Sequence, residues 1–451
     1  MASTGNRSET SSREGEPAKI AQRASGSFPA VAKGAGSGGK GSPVGILVAV
    51  VAVVVLSLAV AAGTRGKRAS QATPRANTVG ATRGITDSEI LLGMASPLYG
   101  PSRELGEGVK TGLELAFAAA NEAGGVHGRK IRLVALDDGD EPEKSAKAVR
   151  ELVEEHGVFA IVGDAGTTAA AAPLPYVNDK KVIYFGAVSG LPALRKEPPD
   201  RYVFNFRPGL ADEVRAAVRY LAVVRRIPFE KIAVFAQEDA FGEAGFAAVA
   251  RLAREQGRDP ARLLRVGYRR NSVDVEGAIS RLRAEHGEVQ ALVMIATAQP
   301  AARLIRRAKA AGLDLVYAHV SAVNGAELAD QLRESRTAVR DDVVVTQVVP
   351  SPQSKDSAVV KYRQQLEKAS TGESASSVSL EGYIVGTLFV DALQRAGRGL
   401  DTETLVQALE STQALDIGIG SKLGFGPRDH QASDRVWCAM LDGSYRYKPI
   451  E

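Results

Sequence analysis

The sequence predicts an α/β protein of two parallel-sheet lobes, preceded by a disordered tail and one transmembrane helix. Three observations carry this. From Ile90 onward, short apolar runs alternate with segments of helical period, the pattern of a parallel sheet covered by helices on both faces. The alternation pauses at Phe204-Asn205-Phe206-Arg207 and restarts with similar make-up, as a second lobe would. Residues 44–62, VGILVAVVAVVVLSLAVAA, carry no charge and reach the length a helix needs to cross a bilayer.

At 451 residues the chain is long enough for two domains of ordinary size plus extra segments. The net charge of +5 suggests an acidic partner, but Lys and Arg are interleaved with Asp and Glu along the helical segments. Nucleic-acid binding is therefore disfavoured. Cys438 is the single cysteine, which excludes an intrachain disulfide and a cysteine metal site. His127, His156, His286, His319 and His430 show no ligand spacing, so zinc chemistry and a Ser-His-Asp relay lack support. No cofactor and no metal are expected.

Residues 1–43 are rich in Ser, Gly, Ala, Arg and Lys and lack the apolar surface that offsets ordering entropy, so a disordered tail is expected. Its GAGSGGKGS stretch is no phosphate loop, because Gly41 follows Lys40 where Ser or Thr is needed and no strand precedes it. The transmembrane helix is assigned to residues 44–63 and reads as a retained anchor. Its apolar core is longer than a signal peptide's, although Ala59-Val60-Ala61 leaves a cleavage site open. No cysteine follows it to carry a lipid. Lys40 lies before the run and Arg65, Lys67 and Arg68 after it, a bias that taken alone keeps the C-terminal body in the cytoplasm. Residues 64–83 form a basic linker.

In the body, strands are expected at 90–94 and 131–135, with helices at 108–121 and 142–155. In the first of these, Val109, Leu113, Ala116, Phe117 and Ala120 line one face. Residues 157–190 then read strand, loop, helix, strand. The run 159–162 ends at Gly163-Asp164-Ala165-Gly166, Thr167 and Thr168 open an Ala-rich helix, and a strand follows at 182–185. This unit puts a loop and a helix N-terminus at the carboxyl edge of a sheet, where free N–H groups seat an anionic or polar ligand. The alternative is that a threonine only caps its own helix. After residue 207 the pattern predicts helices at 211–224, 241–255, 273–285 and 300–311. Strands alternate with them at 232–236, 263–266, 291–296 and 315–319. A strand at 343–348, helices at 358–368, 380–395 and 402–411, and short antiparallel strands ending at Tyr447 complete the chain. Two such lobes bring two sets of strand ends face to face across a cleft.

These residues carry a family resemblance. Gly84-Ile85-Thr86-Asp87-Ser88-Glu89-Ile90, the Gly100-Pro101 loop, Asn121-Glu122-Ala123-Gly124-Gly125-Val126-His127-Gly128-Arg129-Lys130-Ile131 and Asp137-Asp138-Gly139-Asp140-Glu141-Pro142 resemble the branched-chain amino-acid (leucine/isoleucine/valine) type of periplasmic solute-binding protein. The resemblance spans residues 84–450. It implies a type I periplasmic binding fold, two Rossmann-like lobes joined by three hinge crossovers that close on a ligand. It implies lobe 1 at 84–207 and 342–414 and lobe 2 at 208–341 and 415–451. It also implies an ABC permease partner and a single-pass protein of the bacterial inner membrane with its binding domain periplasmic, against the local charge count.

Carried over by resemblance, the ligand's carboxylate would rest on Gly166-Thr167-Thr168, with Ser189 and Gly190 at the next strand end. Phe241 would form the aromatic wall and Leu105 the rim. Ser321 stands where the family places a carboxylate for the ligand's ammonium, and Thr297 stands where a tyrosine is usual. An ammonium buried without a charged partner is costly, so a carboxylate or other small polar ligand is expected rather than a free α-amino acid. The acidic loop 137–141 reads as ordinary capping before Pro142 and not as a calcium site.

Two other functions stay open. A sensing receptor would use the same pocket and report to a signalling partner. An enzyme on a Rossmann-like scaffold is disfavoured, because Gly163-Asp164-Ala165-Gly166 lacks dinucleotide spacing and no nucleophile has an evident base.

Overall fold

Short apolar runs buried on both faces set the architecture. The computed structural model describes residues 82–450 apart from Pro101, His286 and Thr371. The tail, the anchor expected at 44–63 and most of the linker lie outside the described residues. Among the described residues no helix is long and apolar enough to cross a membrane.

The first sheet holds β1 (Glu89–Ser96), β2 (Lys130–Asp137), β3 (Ala160–Val162), β4 (Ile183–Phe185) and β5 (Val203–Phe204). Its order is β2-β1-β3-β4-β5 and every pairing is parallel. The side chains of β3 show why the run is uniformly apolar: Ala160 and Val162 join one core and Ile161 the other. Helices α1 (Arg103–Glu122) and, later in the chain, α9 (Ser357–Ala369), α10 (Ser377–Ala396) and α11 (Thr402–Glu410) cover one face. Helices α2 (Pro142–Glu154) and α3 (Leu174–Asp179) cover the other. α1 and α10 approach so closely that a methyl group at Gly112 would lie 2.0 Å from the Ser379 carbonyl oxygen.

The second sheet holds β6 (Ile232–Gln237), β7 (Arg265–Tyr268), β8 (Ala291–Ile295), β9 (Val316–His319), β10 (Val343–Gln347), β11 (Trp437–Leu441) and β12 (Tyr447–Ile450), in the order β12-β11-β10-β9-β8-β6-β7. β6 to β10 are parallel, and β11 and β12 add antiparallel strands at the edge. Leu292 and Met294 of β8 face the core under α6 (Glu276–Ala284), α7 (Ala298–Ala310) and α8 (Gly325–Glu334). Ala291, Val293 and Ile295 face α4 (Leu210–Arg219) and α5 (Ala240–Glu255).

The lobe boundaries differ from expectation at two places. β10, placed in lobe 1 by the sequence, pairs with β9 in the second sheet, because its five buried residues need a neighbour on each side. Residues 415–432, placed in lobe 2, pack on the first lobe. Ile419, Leu423, Phe425 and Ala432 enter its core, and Asn205 beside β5 bonds to His430 and Ala432. The chain thus crosses between lobes after Arg207, after Gln347 and between Ser433 and Trp437.

Two local expectations also shift, and one helix is added. No long helix follows Thr168: a 3-10 turn, Ala169–Ala171, precedes the six-residue α3. β7 starts late because Pro260 opens a turn capped by Asp259. α8 was not foreseen; it is amphipathic, with Leu328 and Leu332 turned to the core.

Candidate functional site

Both sheets direct their strand ends at one space. In each, the order reverses beside the first strand, between β1 and β3 and between β6 and β8, the switch point where open α/β sheets bind ligands. The loops there enclose a cavity of about 120 Å³.

Seven of the nine residues singled out from the sequence line it: Leu105, Gly166, Thr167, Thr168, Phe241, Thr297 and Ser321. Ser189 and Gly190 do not. Ser189 is fully buried and its hydroxyl donates to the Thr167 carbonyl at 2.9 Å, so it fixes the loop behind the cavity. Gly190 lies against the start of α4, where an added Cβ would stand 2.7 Å from the Leu210 nitrogen. The chain has by then turned toward the first crossover.

Gly166 has φ +107°, and a Cβ there would lie 2.3 Å from Asp140 Oδ1. A glycine is what lets the carboxyl of the β2–α2 loop approach the β3 loop. The amides of Thr167 and Thr168 donate to no backbone carbonyl among the described hydrogen bonds. Thr168 makes no side-chain cap; its hydroxyl reaches across to the other lobe and donates to Asp239 Oδ2 at 2.8 Å. With only a 3-10 turn behind it, the loop offers free amides and a hydroxyl rather than a helix dipole.

Asp239 is held from several sides. As N-cap of α5, its Oδ1 accepts from the amides of Phe241 and Gly242, and its Oδ2 also accepts from Gln237 Nε2 at 2.8 Å. Arg270, beyond β7, sits 3.8 Å from Asp239, 3.8 Å from Asp140 and 3.6 Å from Glu141. Asn271 donates to Glu141 at 2.6 Å. Burial lifts the Asp140 carboxyl to about 6 against the opposing pull of Arg270.

A second polar group closes the hinge end. Arg207, at the first crossover, donates to Glu213 of α4 at 3.2 Å and to Ser321 Oγ, and its Nε lies 3.6 Å from Glu381 of α10. Glu213 also accepts from the Ser321 amide at 2.7 Å and from Thr346 at 2.6 Å. Arg195, partly buried beside this group, donates to the carbonyls of Ser189 and Arg207, each at 2.9 Å. Burial, then the charge of Arg207, lowers its pKa to about 9.

Two α/β lobes linked by three crossovers, with opposed switch points around one polar cavity, match the periplasmic binding protein model over residues 89–445. The chain belongs to the periplasmic binding protein family. A solved structure, of a possible leucine/isoleucine/valine-binding protein from Rhodopirellula baltica, is 34% identical with a TM-score of 0.75, covering 81% of this chain and 96% of that one. The leucine-, isoleucine-, valine-, threonine- and alanine-binding protein of Pseudomonas aeruginosa is 24% identical over 327 residues, 71% of this chain and 82% of that one. A Leu/Ile/Val-binding protein homolog of Brucella melitensis is 28% identical over 156 residues, 35% of this chain and 41% of that one.

Set within this family, the cavity contains charges the sequence reading did not single out: Asp140, Asp239, Arg207, Arg270, Glu327 and Glu381. Position 321 is a serine, as the sequence showed, and carboxylates reach the cavity from the loops after β2 and β6. The capping motif at Asp239-Ala240-Phe241-Gly242 was the one local signal for these groups. Arg207 stood in the Phe-Asn-Phe-Arg pause, but its partners lie far along the chain.

Proposed function

We propose that the chain is a membrane-tethered, extracytoplasmic receptor that captures a small amino-acid-like ligand between its lobes and delivers it to an ABC permease, without catalysing a reaction. The observation that carries this is the meeting of opposite polarities in one enclosed space. The free amides of Thr167 and Thr168 suit a carboxylate, and Asp140 and Asp239 suit an ammonium. Leu105, Val188 and Phe241 supply apolar wall for the rest of the ligand. The amino acids in the names of the Pseudomonas and Rhodopirellula proteins support the same ligand class. The uncharged run 44–62 supports a tether, and the family supports an extracytoplasmic body.

A thermal-shift screen of the full chain against amino acids, carboxylates, amides and aromatic acids tests this, since a ligand that binds only the folded state raises the melting temperature. Amino acids are expected to give the largest rise. A screen in which only molecules lacking an amine stabilise the protein would overturn the reading.

A further inference from the structure

The carboxylate that Thr168 meets on the second lobe is aimed from behind the cavity wall. Tyr268, the last residue of β7, is 2% exposed and does not line the cavity. It is the cross-strand partner of Gln237, the last residue of β6, and its ring stacks on Phe235 of β6 with centroids 5.1 Å apart. From there its hydroxyl spans β6 to reach Thr297, which follows β8 and caps α7. The hydroxyl accepts from the Thr297 amide at 3.1 Å and donates to Gln237 Oε1 at 2.8 Å. Gln237 Nε2 donates in turn to Asp239 Oδ2 at 2.8 Å. The same oxygen receives the Thr168 hydroxyl from the first lobe at 2.8 Å.

The first member of this chain fixes its direction. A backbone N–H can only donate, so the Tyr268 oxygen accepts there and its single proton is left for Gln237. Gln237 therefore turns its carbonyl oxygen to Tyr268 and its amide nitrogen to Asp239. The flipped amide would set Oε1 against the Asp239 carboxylate, acceptor against acceptor. Asp239 is held on its remaining sides as well, because Oδ1 accepts from the amides of Phe241 and Gly242 at 3.0 and 3.3 Å. Each oxygen of this carboxylate accepts two bonds, and one of the four comes from the other lobe.

We infer that Tyr268 is a positioning residue for closure: through Gln237 it holds the Asp239 carboxylate where the Thr168 hydroxyl latches on it, and so sets how tightly the lobes shut. This rests on the reading of two lobes that capture a ligand between them and adds to it a control point behind the cavity wall. A hydrogen-bond chain of this kind acts as a unit, so loss of its inner member is felt at its outer end.

Hydrogen exchange of the ligand-free full chain, followed by peptide mass spectrometry, reads the latch without a ligand. Tyr268→Phe keeps the ring and removes only the hydroxyl. It is expected to speed exchange several-fold in the lobe 1 peptide covering residues 163–172, as Thr168→Ala and Gln237→Met should, and to add nothing in a Gln237→Met background. Leucine affinity, measured by calorimetry, should fall about fivefold in Tyr268→Phe, a change of about 1 kcal/mol. A tyrosine with a merely structural role would loosen only lobe 2 peptides around β6, β7 and β8. Wild-type exchange at 163–172 in Tyr268→Phe would overturn the inference, as would effects of Tyr268→Phe and Gln237→Met that multiply in the double variant. Either failure would leave the amino-acid reading standing, because the exchange measurement uses no ligand. The expected exchange pattern together with no leucine binding by wild type would support the latch and count against the amino-acid reading.

Discussion

The two polar groups that bound the cavity are built from similar residues and behave differently. At the hinge, Arg207, Glu213 and Glu381 are almost fully buried and tie the first crossover to both lobes. At the rim, Asp140, Glu141, Asp239 and Arg270 are partly exposed and meet across the cleft at 3.6–3.8 Å. A buried arginine between two carboxylates has no water to fall back on, so its bonds are costly to break. The rim pairs can exchange for water, which lets them separate when the lobes part. The hinge group ties the first crossover to both lobes, and the rim pairs are the solvent-accessible ties between them.

Breaking the hinge gives the largest effect. Arg207→Met leaves Glu213 and Glu381 buried without their cation and should lower stability by about 3–5 kcal/mol, read by urea denaturation of the full chain. A loss under about 1 kcal/mol, the scale of an exposed pair, would erase the distinction between hinge and rim.

A pH series sharpens the comparison. The Asp140 carboxyl is raised from 3.8 to about 6, so the folded state retains a proton that the unfolded state has already released. Its contribution to stability is therefore fully present below about 4 and erodes as the pH rises through 6. Asp140→Asn should match wild type near pH 4 and become the more stable protein above pH 6. A gap that is constant across the range would show that burial does not govern this rim carboxyl.

The smallest effect on stability is expected from Arg270→Met, less than about 1 kcal/mol for a partly exposed ion-pair group. Its consequence should be conformational: small-angle scattering of the ligand-free chain should show a larger radius of gyration than wild type. An unchanged radius would mean that the rim does not hold the lobes together.

Much of the architecture was legible because parallel strands buried on both faces leave uniformly apolar runs, as in β3, β8 and β10. What failed was assignment between lobes. The sequence of β10 reads the same whichever sheet it joins, and only its register with β9 decides. The loop Gly166 to Thr168 stood out because a strand end and a glycine are local signals, and Phe241 because it holds the position of the family's aromatic wall. Arg270 and Asp140 stand 130 positions apart and belong to different lobes, so no spacing in the chain announces their pairing. Ser189 and Gly190 failed for a different reason. They follow a strand end as expected, but the chain bends away at once to reach α4.

The central claim is that ligand rests on the amides of the β3 loop, which the Thr168 hydroxyl ties to the rim on the other lobe. Calorimetric titration of Thr168→Ala with the ligand that most stabilises wild type tests this most directly, because the Thr168 hydroxyl joins that loop to Asp239 across the cleft. Loss of one hydrogen bond of about 1 kcal/mol predicts affinity weakened by about fivefold or more. Wild-type affinity in the variant, with its fold intact, would contradict the account.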